Sequence, residues 1–256
     1  MIHLFALLSL LLCGVCYTGF QNSSHFHNTG NRRSLLLLVF GGALLLRLLL
    51  AYTTHGFSND IACFAAWADR IFTLGPGQFY SAEMFTDYPP GFMYVLYLIG
   101  ALRSLLQIPY YSDLHILLLK LPAILCDIAC GFLLYREAVK RLHFSDLQGI
   151  FAASAYLFQP AVILNSSCWG QVDSVYTLMI ILMCLFLMKG NLLPAYAVYG
   201  LGVLLKPQML IFTPVLLAGI WDHVFLQDFP GGNSSIICAV VWLSSAGCSF
   251  CALLSD

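Results

Sequence analysis

This chain of 256 residues carries 11 Lys and Arg residues against 12 Asp and Glu residues, and 60% of its residues are hydrophobic. Soluble domains contain roughly 45–50% apolar and about 25% charged residues, whereas only 9% of this chain is charged. The composition excludes a water-soluble globular protein, and the balanced charge argues against a nucleic-acid-binding one. We predict an all-α, polytopic transmembrane helical bundle surrounded by membrane lipids.

The ten cysteines do not suggest a metal site or a disulfide framework. Most of them lie inside apolar runs, and the close pairs Cys13/Cys16, Cys126/Cys130 and Cys248/Cys251 lack further His or Cys partners at zinc spacing. We interpret them as small apolar side chains. No metal ligands are predicted, although a divalent metal is left open.

Apolar stretches recur along the whole chain. A helix needs about 20 apolar residues to cross a bilayer, and stretches of about that length predict eight or nine membrane segments. They cover residues 2–19, 35–52, 89–106, 114–135, 147–166, 174–189, 191–205, 207–221 and 235–254. The segments joined at Lys206-Pro207 are either one bent hairpin or two tilted helices.

The basic residues near the start of the chain predict its orientation. Arg32 and Arg33 precede the second apolar segment, so the positive-inside rule puts residues 20–34 in the cytoplasm. The following helix then runs outward, and residues 53–88 form a loop on the outer face. We expect Arg47, near the outer end of that helix, to extend its charge to the interface.

The next two segments leave two arrangements open. If 89–106 and 114–135 both cross the membrane, the basic residues of 136–143 lie outside, against the same rule. If only one crosses, those residues lie inside, and the polar motif 169–174 lies outside together with the loop 53–88. We prefer the second arrangement because it gathers the polar motifs on one face.

The loop 53–88 is the longest polar interruption of the chain, and its pattern predicts a short amphipathic helix over about 60–74 at the membrane surface. The apolar residues at helical spacing are Ile61, Phe64, Ala65, Ala68 and Phe72. The candidates for capping its start are Ser58, Asn59 and Asp60. Gly75 is expected to end it.

Asp60 is the candidate catalytic carboxylate. It lies just beyond the outer end of a predicted membrane helix, where a lipid-linked substrate presents its head group, and it could take the proton of an acceptor hydroxyl that displaces the carrier at a sugar carbon. The alternative is that Asp60 only caps the surface helix, and the two roles are compatible. Asp69 and Arg70 are expected to form a solvated ion pair, and Asp87 is either a turn residue or part of the site.

The motif Trp169-Gly-Gln-Val-Asp-Ser174 separates two apolar runs. A carboxylate at the edge of the hydrocarbon is unfavourable unless it meets water, a cavity or a partner. Trp169, Gln171 and Asp173 are therefore candidates for binding a polar ligand. The alternative is an interfacial Trp beside a solvated turn.

Two lysines in apolar segments are candidates for binding a lipid phosphate. Lys120 and Asp127 are seven residues apart, hence on one helix face, and such buried ionisable groups usually pair or serve function. Lys206 precedes Pro207, which breaks the helix and opens backbone groups to a ligand. For each lysine the alternative is an ordinary interfacial side chain.

These motifs together resemble a family of bacterial membrane glycosyltransferases of the GT-C class, similar to the second mannosyltransferase of GPI-anchor assembly. The resemblance covers about residues 35–220. The motifs that carry it are Asn59-Asp-Ile61, Asp87-Tyr-Pro-Pro-Gly-Phe92, Leu119-Lys-Leu-Pro-Ala-Ile124, Trp169-Gly-Gln-Val-Asp-Ser174 and Leu205-Lys-Pro-Gln208. Of these, the Trp-Gly-Gln-Val-Asp and Lys-Pro-Gln motifs at this distance are the most specific.

The resemblance implies an inverting hexosyltransferase, with mannose favoured, in the cell membrane. Such an enzyme takes its sugar from a polyprenyl-phosphate carrier and gives it to the hydroxyl group of a glycan, lipid or protein at the outer face. Its catalytic carboxylate lies in the first outer loop, at the position of Asp60. Asp87, Trp169, Gln171, Asp173, Lys120 and Lys206 are the expected substrate-binding residues.

The domain organisation follows the same comparison. Residues 1–34 are expected to form an uncleaved hydrophobic segment and a short basic loop, and residues 35–221 the GT-C-like module. Residues 222–256 are expected to form a loop and part of a last membrane segment of a longer enzyme. The competing interpretations are a lipid or sugar-lipid transporter, although no internal repeat is visible, and an inactive N-terminal fragment.

Overall fold

A computed structural model of the chain describes residues 9–12, 14–15, 17–19, 32–81 and 85–225. Within them the chain forms helices and loops and no strand, as predicted. The α-helices from residue 32 onward are α1 (Arg32–Thr53), α2 (Ser58–Leu74), α3 (Pro90–Leu105), α4 (Asp113–Lys140), α5 (Asp146–Leu157), α6 (Pro160–Ile163), α7 (Asp173–Met188), α8 (Leu192–Leu205) and α9 (Thr213–Phe225). The last predicted segment, 235–254, and most of the first, 2–19, lie outside the described residues.

Only two of these helices, α1 and α4, are long and apolar enough to cross a membrane. A third candidate arises if α5 and the stretch Pro160–Trp169, which meet at a bend of 52°, count as one span. The predicted number of eight or nine spans is therefore not supported by the described helices. Helices α3 and α7 have 16 residues each, so at 1.5 Å per residue they extend about 24 Å, less than the roughly 30 Å of a hydrocarbon core.

Prolines account for two breaks in the predicted segments. The segment 147–166 divides before Pro160, which cannot donate a backbone hydrogen bond and disfavours a helical residue before it. The chain then continues into a π-helical turn, Leu164–Trp169. Likewise α8 ends at Leu205, and a 3-10 helix, Pro207–Phe212, precedes α9. The second break separates two helices, one of the two arrangements left open by the sequence.

The described chain divides into two compact units. The first holds the described residues of 1–84 and 93–175, and the second holds those of 85–92 and 176–256. In the second unit, α7, α8, the 3-10 helix and α9 enclose an apolar core. Its buried members are Ile180, Met183, Cys184, Leu187, Ala195, Met209, Phe212 and Leu216.

In the first unit, α1 and α4 pack side by side and run antiparallel. Lys120, near the start of α4, contacts the end of α1, and Asp127 pairs with Arg47. Helix α5 packs on both of them through a core that includes Ala43, Ala153 and Leu157. At Gly131 a Cβ atom would lie only 2.6 Å from the Leu157 side chain, so glycine permits this close packing of α4 on α5.

Helix α2 has the amphipathic pattern that the sequence predicts. Its buried face includes the predicted residues Ile61, Phe64, Ala65 and Ala68, while Phe72 is half-buried. The helix ends before Gly75, whose positive φ of 82° suits glycine. Its start differs from the prediction: Phe57 occupies the N-cap position and no side chain caps the helix.

The two ends of the first unit differ in character. At one end Arg32 forms an ion pair of 3.0 Å with Asp146, and the basic residues of 136–143 lie in and just after the last turn of α4. At the other end His55, after α1, lies 3.6 Å from Asp113 at the start of α4. The antiparallel packing of two long helices thus places the two basic stretches at the same end.

Candidate functional site

Asp60 lies in the first turn of α2, one of the places where a carboxylate is favoured by the exposed N–H groups of a helix. Because the N-cap is Phe57, the prediction that Ser58, Asn59 or Asp60 caps the helix is wrong. The Asp60 side chain is half-buried. Because Asp60 does not cap the helix, its carboxylate can accept hydrogen bonds from elsewhere in the chain.

The Trp169 motif supplies those hydrogen bonds. The indole Nε1 of Trp169 donates to Oδ2 of Asp60 at 3.2 Å, and the amide Nε2 of Gln171 donates to the same oxygen. The other oxygen, Oδ1, accepts no hydrogen bond from a described residue. The structure therefore brings together three residues that the sequence singled out separately, and it leaves one carboxylate oxygen available.

The backbone around Trp169 explains how it reaches Asp60. The π-helical turn ends at Gly170, which adopts φ of 88°, a conformation that favours glycine. A Cβ atom at Gly170 would lie 2.6 Å from Cδ1 of Ile61. The carbonyl of Trp169 also accepts a hydrogen bond of 2.8 Å from the backbone N–H of Phe57. The turn is thus docked directly on the start of α2.

An aromatic pair borders the carboxylate. The rings of Phe57 and Trp169 have centroids 5.3 Å apart and planes inclined by 38°, and both side chains are 44% exposed. An exposed aromatic surface beside a carboxylate and an amide offers apolar contact and hydrogen bonds to one ligand. Sequence analysis missed Phe57, although its position three residues before Asp60 is a signal that could have identified it.

Asp173 lies in the first turn of α7 and supports the same turn. Its Oδ2 accepts a hydrogen bond of 3.0 Å from the side chain of Asn165, and the carbonyl of Asn165 accepts from the N–H groups of Gly170 and Gln171. Asn165 thus links the carboxylate to the backbone that carries Gln171. In this geometry Asp173 stabilises the turn.

Lys120 is not placed to meet a substrate. Its side chain is fully buried, and its ammonium group donates to oxygens of Ala51, Thr54 and Ser167. Asp127, which shares a helix face with Lys120, pairs with Arg47 instead. These contacts give Lys120 a structural position beneath the Trp169 turn.

Arg47 does not extend to an interface, contrary to the prediction. It is fully buried, and its Nε lies 3.2 Å from Oδ2 of Asp127, which is buried as well. The hydroxyl of Tyr156 donates to Oδ1 of Asp127 at 3.2 Å. Burial of a lone charge among apolar helices is strongly unfavourable, so the two charges meet inside the bundle.

The predicted ion pair of Asp69 with Arg70 is also absent. Asp69 pairs instead with Arg103 of α3, and Arg70 donates to the carbonyl of Phe79 and the hydroxyl of Ser81. Asp69 and Arg70 therefore each hold a neighbouring segment in place.

Lys206 and Asp87 belong to the second unit. The ammonium of Lys206, whose residue is 8% exposed, lies 5.8 Å from the ring centre of Tyr88 and 5.6 Å from that of Tyr176. Asp87 is exposed. Their predicted contacts with a lipid-linked substrate stay predictions.

No protein-family model, curated protein or solved structure matches this chain. The resemblance to GT-C enzymes therefore rests on the sequence motifs alone. Among the residues that the structure describes, no group of three or more His, Cys, Asp or Glu side chains could hold a metal ion. What the site offers is a carboxylate acceptor, an amide, an indole and an exposed aromatic surface.

Proposed function

We propose that this chain carries the catalytic site of a membrane glycosyltransferase of the GT-C class, which moves a hexose, with mannose favoured, from a polyprenyl-phosphate carrier to an acceptor hydroxyl group. The observation that carries the proposal is the meeting of Asp60, Trp169 and Gln171, whose motifs are far apart in the sequence. The enzyme would be a multi-pass protein of the cell membrane, with the site at the outer face.

The chemistry assigned to Asp60 is that of a general base. Its Oδ1 accepts the proton of the acceptor hydroxyl while the acceptor oxygen forms a bond to the anomeric carbon of the sugar. The bond between that carbon and the phosphate oxygen breaks, and polyprenyl phosphate leaves with the electron pair. Trp169 and Gln171 fix the carboxylate through Oδ2, and Oδ1 stays available to take the proton.

The aromatic pair supports a sugar as the ligand. A hexose has an apolar face of C–H groups and an edge of hydroxyl groups. The exposed rings of Phe57 and Trp169 suit the first, and the polar groups of Asp60 and Gln171 suit the second. The two long apolar helices that lead to this end of the first unit suit a substrate carried by a lipid.

The substitution Asp60→Asn tests the proposal. Asn has nearly the same volume and keeps an oxygen that accepts from Trp169 and Gln171, but it cannot take up the hydroxyl proton. We expect turnover with a polyprenyl-phosphate hexose to fall by about 10²–10⁴-fold, while the thermal unfolding temperature changes little. The measurement is sugar transfer in liposomes, with a melting curve for each variant.

Asp113→Asn is the matched control. Asp113 is likewise in the first turn of a helix, and it is exposed, so its loss removes the same favourable charge at a helix start without touching the site. We expect its turnover to stay near that of the unaltered protein. Equal turnover of the Asp60 and Asp113 variants would contradict the role of Asp60 as a base.

A further inference from the structure

Lys120 is held by oxygens from two separate parts of the chain. Its Nζ lies 3.2 Å from the carbonyl oxygen of Ala51, 2.7 Å from that of Thr54 and 3.0 Å from that of Ser167. The hydroxyl of Thr54 is a fourth contact at 3.1 Å. All three ammonium protons therefore have acceptors, although the side chain is fully buried.

Three of these oxygens are backbone carbonyls at helix ends. Helix α1 ends at Thr53, so Ala51 contributes a carbonyl of its last turn and Thr54 the carbonyl just after it. Ser167 belongs to the last turn of the π-helical stretch Leu164–Trp169. The last four carbonyls of a helix lack partners within it, and a cation is favoured there. One ammonium group thus caps the C-terminal ends of two helical segments at once.

Both capped ends lead directly into the candidate site. Thr54 precedes Phe57 by three residues, and Ser167 precedes Trp169 by two. The two segments are joined by the hydrogen bond from Phe57 N–H to the Trp169 carbonyl, at 2.8 Å. The stem of Lys120 also supports the turn, since a Cβ at Gly170 would lie 3.4 Å from Cε of the lysine.

We propose that Lys120 is a positioning residue for the Asp60 site: its buried ammonium joins the end of α1 to the turn Leu164–Trp169 and thereby holds Trp169 and Gln171 against Asp60. The effect of Lys120 on activity rests on the proposed function, sugar transfer at this site. The positioning role itself does not depend on it. If the site transfers sugar, loss of the ammonium should lower turnover by up to about 100-fold, as small misplacements near a reacting centre do.

Amide hydrogen exchange of the full chain in lipid nanodiscs tests the geometry without any substrate. Lys120→Met keeps the length of the side chain and removes its charge and donors. We expect exchange at Phe57, Gly170 and Gln171 to accelerate by about 10- to 100-fold, the factor that corresponds to one hydrogen bond to a charged group. Exchange at Gln148, whose N–H is capped by Ser145 at the opposite end of the first unit, should stay unchanged.

A second pair of variants keeps the lysine in place. Thr54→Val removes the hydroxyl that accepts from Lys120 and that itself donates to the carbonyls of Leu50 and Ser167. It therefore weakens the same junction between α1 and the turn, and it should accelerate the same three amides by a smaller factor. Thr53→Val is the matched control, because the hydroxyl of Thr53 bonds only within α1, to the carbonyls of Leu49 and Leu50. If Lys120→Met does not insert into the membrane, this pair carries the test.

Unchanged exchange at Phe57, Gly170 and Gln171 would overturn the positioning role. So would equal acceleration at those amides and at Gln148, because it would indicate general loss of stability. Accelerated exchange confined to the site, in a protein whose unaltered form transfers no sugar, would contradict the proposed function and support the positioning role.

Discussion

The ion pair of Arg47 and Asp127 is fully buried between α1 and α4, and it is incompletely satisfied. Nε of Arg47 bonds to Asp127 and Nη1 donates to the carbonyl of Ala43, whereas the buried Nη2 has no partner among the described residues. Removing two charges from water is unfavourable, and a pair with an unpaired donor recovers only part of that free energy. We therefore expect the pair to add little net stability.

This leads to a prediction for single and double substitutions. Arg47→Met or Asp127→Leu alone should lower the free energy of unfolding by about 3–5 kcal/mol, because each leaves a buried charge without its partner. The double variant should be close to the unaltered protein or more stable. The measurement is a double-mutant cycle of reversible unfolding in detergent.

The exposed pair of Arg32 and Asp146 is the control for that cycle. It has the same chemistry but lies at the surface, with side chains 53% and 29% exposed, so Arg32→Met should change the free energy of unfolding by less than about 1 kcal/mol. A double variant that unfolds as easily as the two single variants combined would show that the buried pair is a net stabilising contact.

At the scale of elements, the turn that ends at Gly170 decides where Trp169 and Gln171 lie. A π-helical turn holds one more residue per hydrogen-bonded ring than an α-helix, and such turns often occur at functional sites. Here it closes with a glycine whose positive φ reverses the chain onto Ile61 at the start of α2. The π-helical turn thus ends the helix that begins at Pro160 and directs the chain toward α2.

Gly170→Ala should disturb this turn in two ways. The left-handed conformation disfavours alanine by roughly 1–2 kcal/mol, and the new Cβ would collide with Ile61. We expect lower thermal stability together with faster amide exchange at Phe57. Gly41→Ala is the control: Gly41 lies inside α1 with open space around it, so alanine should be neutral or stabilise by up to about 1 kcal/mol. Equal melting temperatures for the two variants would argue against a strained turn.

At the scale of the whole molecule, the first unit has a basic end and an end that carries the Asp60 site. Arg32 and the residues 136–143 lie at the basic end. Asp113 begins α4 and Asp60 follows the end of α1 by seven residues, so both lie at the other end. By length α4 is a candidate span and α3 is shorter, and that only one of the segments 89–106 and 114–135 crosses stays a prediction. The positive-inside rule then predicts a cytoplasmic basic end.

Cysteine labelling in intact cells checks this orientation. In a background without native cysteines, Ser58→Cys and Asp113→Cys should react with a membrane-impermeant maleimide from outside, because both side chains are exposed at the end that carries the site. Lys140→Cys, exposed at the basic end, should react only after the membrane is opened. Labelling of Lys140→Cys from outside would reverse the proposed orientation and move the site to the cytoplasmic face.

The sequence by itself determined the helical class and most helix positions. The predicted segments 35–52 and 114–135 became Arg32–Thr53 and Asp113–Lys140, and the surface helix predicted over 60–74 became Ser58–Leu74. These features depend on local properties: the run of apolar residues, their 3.6-residue spacing, and the glycines and prolines at the ends. Local patterns are readable from the chain because each involves neighbours within a few residues.

Only the tertiary structure decided which charged and polar groups meet. Asp60 accepts from residues 109 and 111 positions away, and Arg47 pairs with a carboxylate 80 positions away. Spacing along one helix placed Lys120 and Asp127 on the same face, yet it did not identify the partner of either, because the free energy of a buried charge depends on every helix packed around it. Helix ends supplied carbonyls for Lys120 and α1 supplied Arg47 for Asp127, and neither choice is encoded in any local pattern.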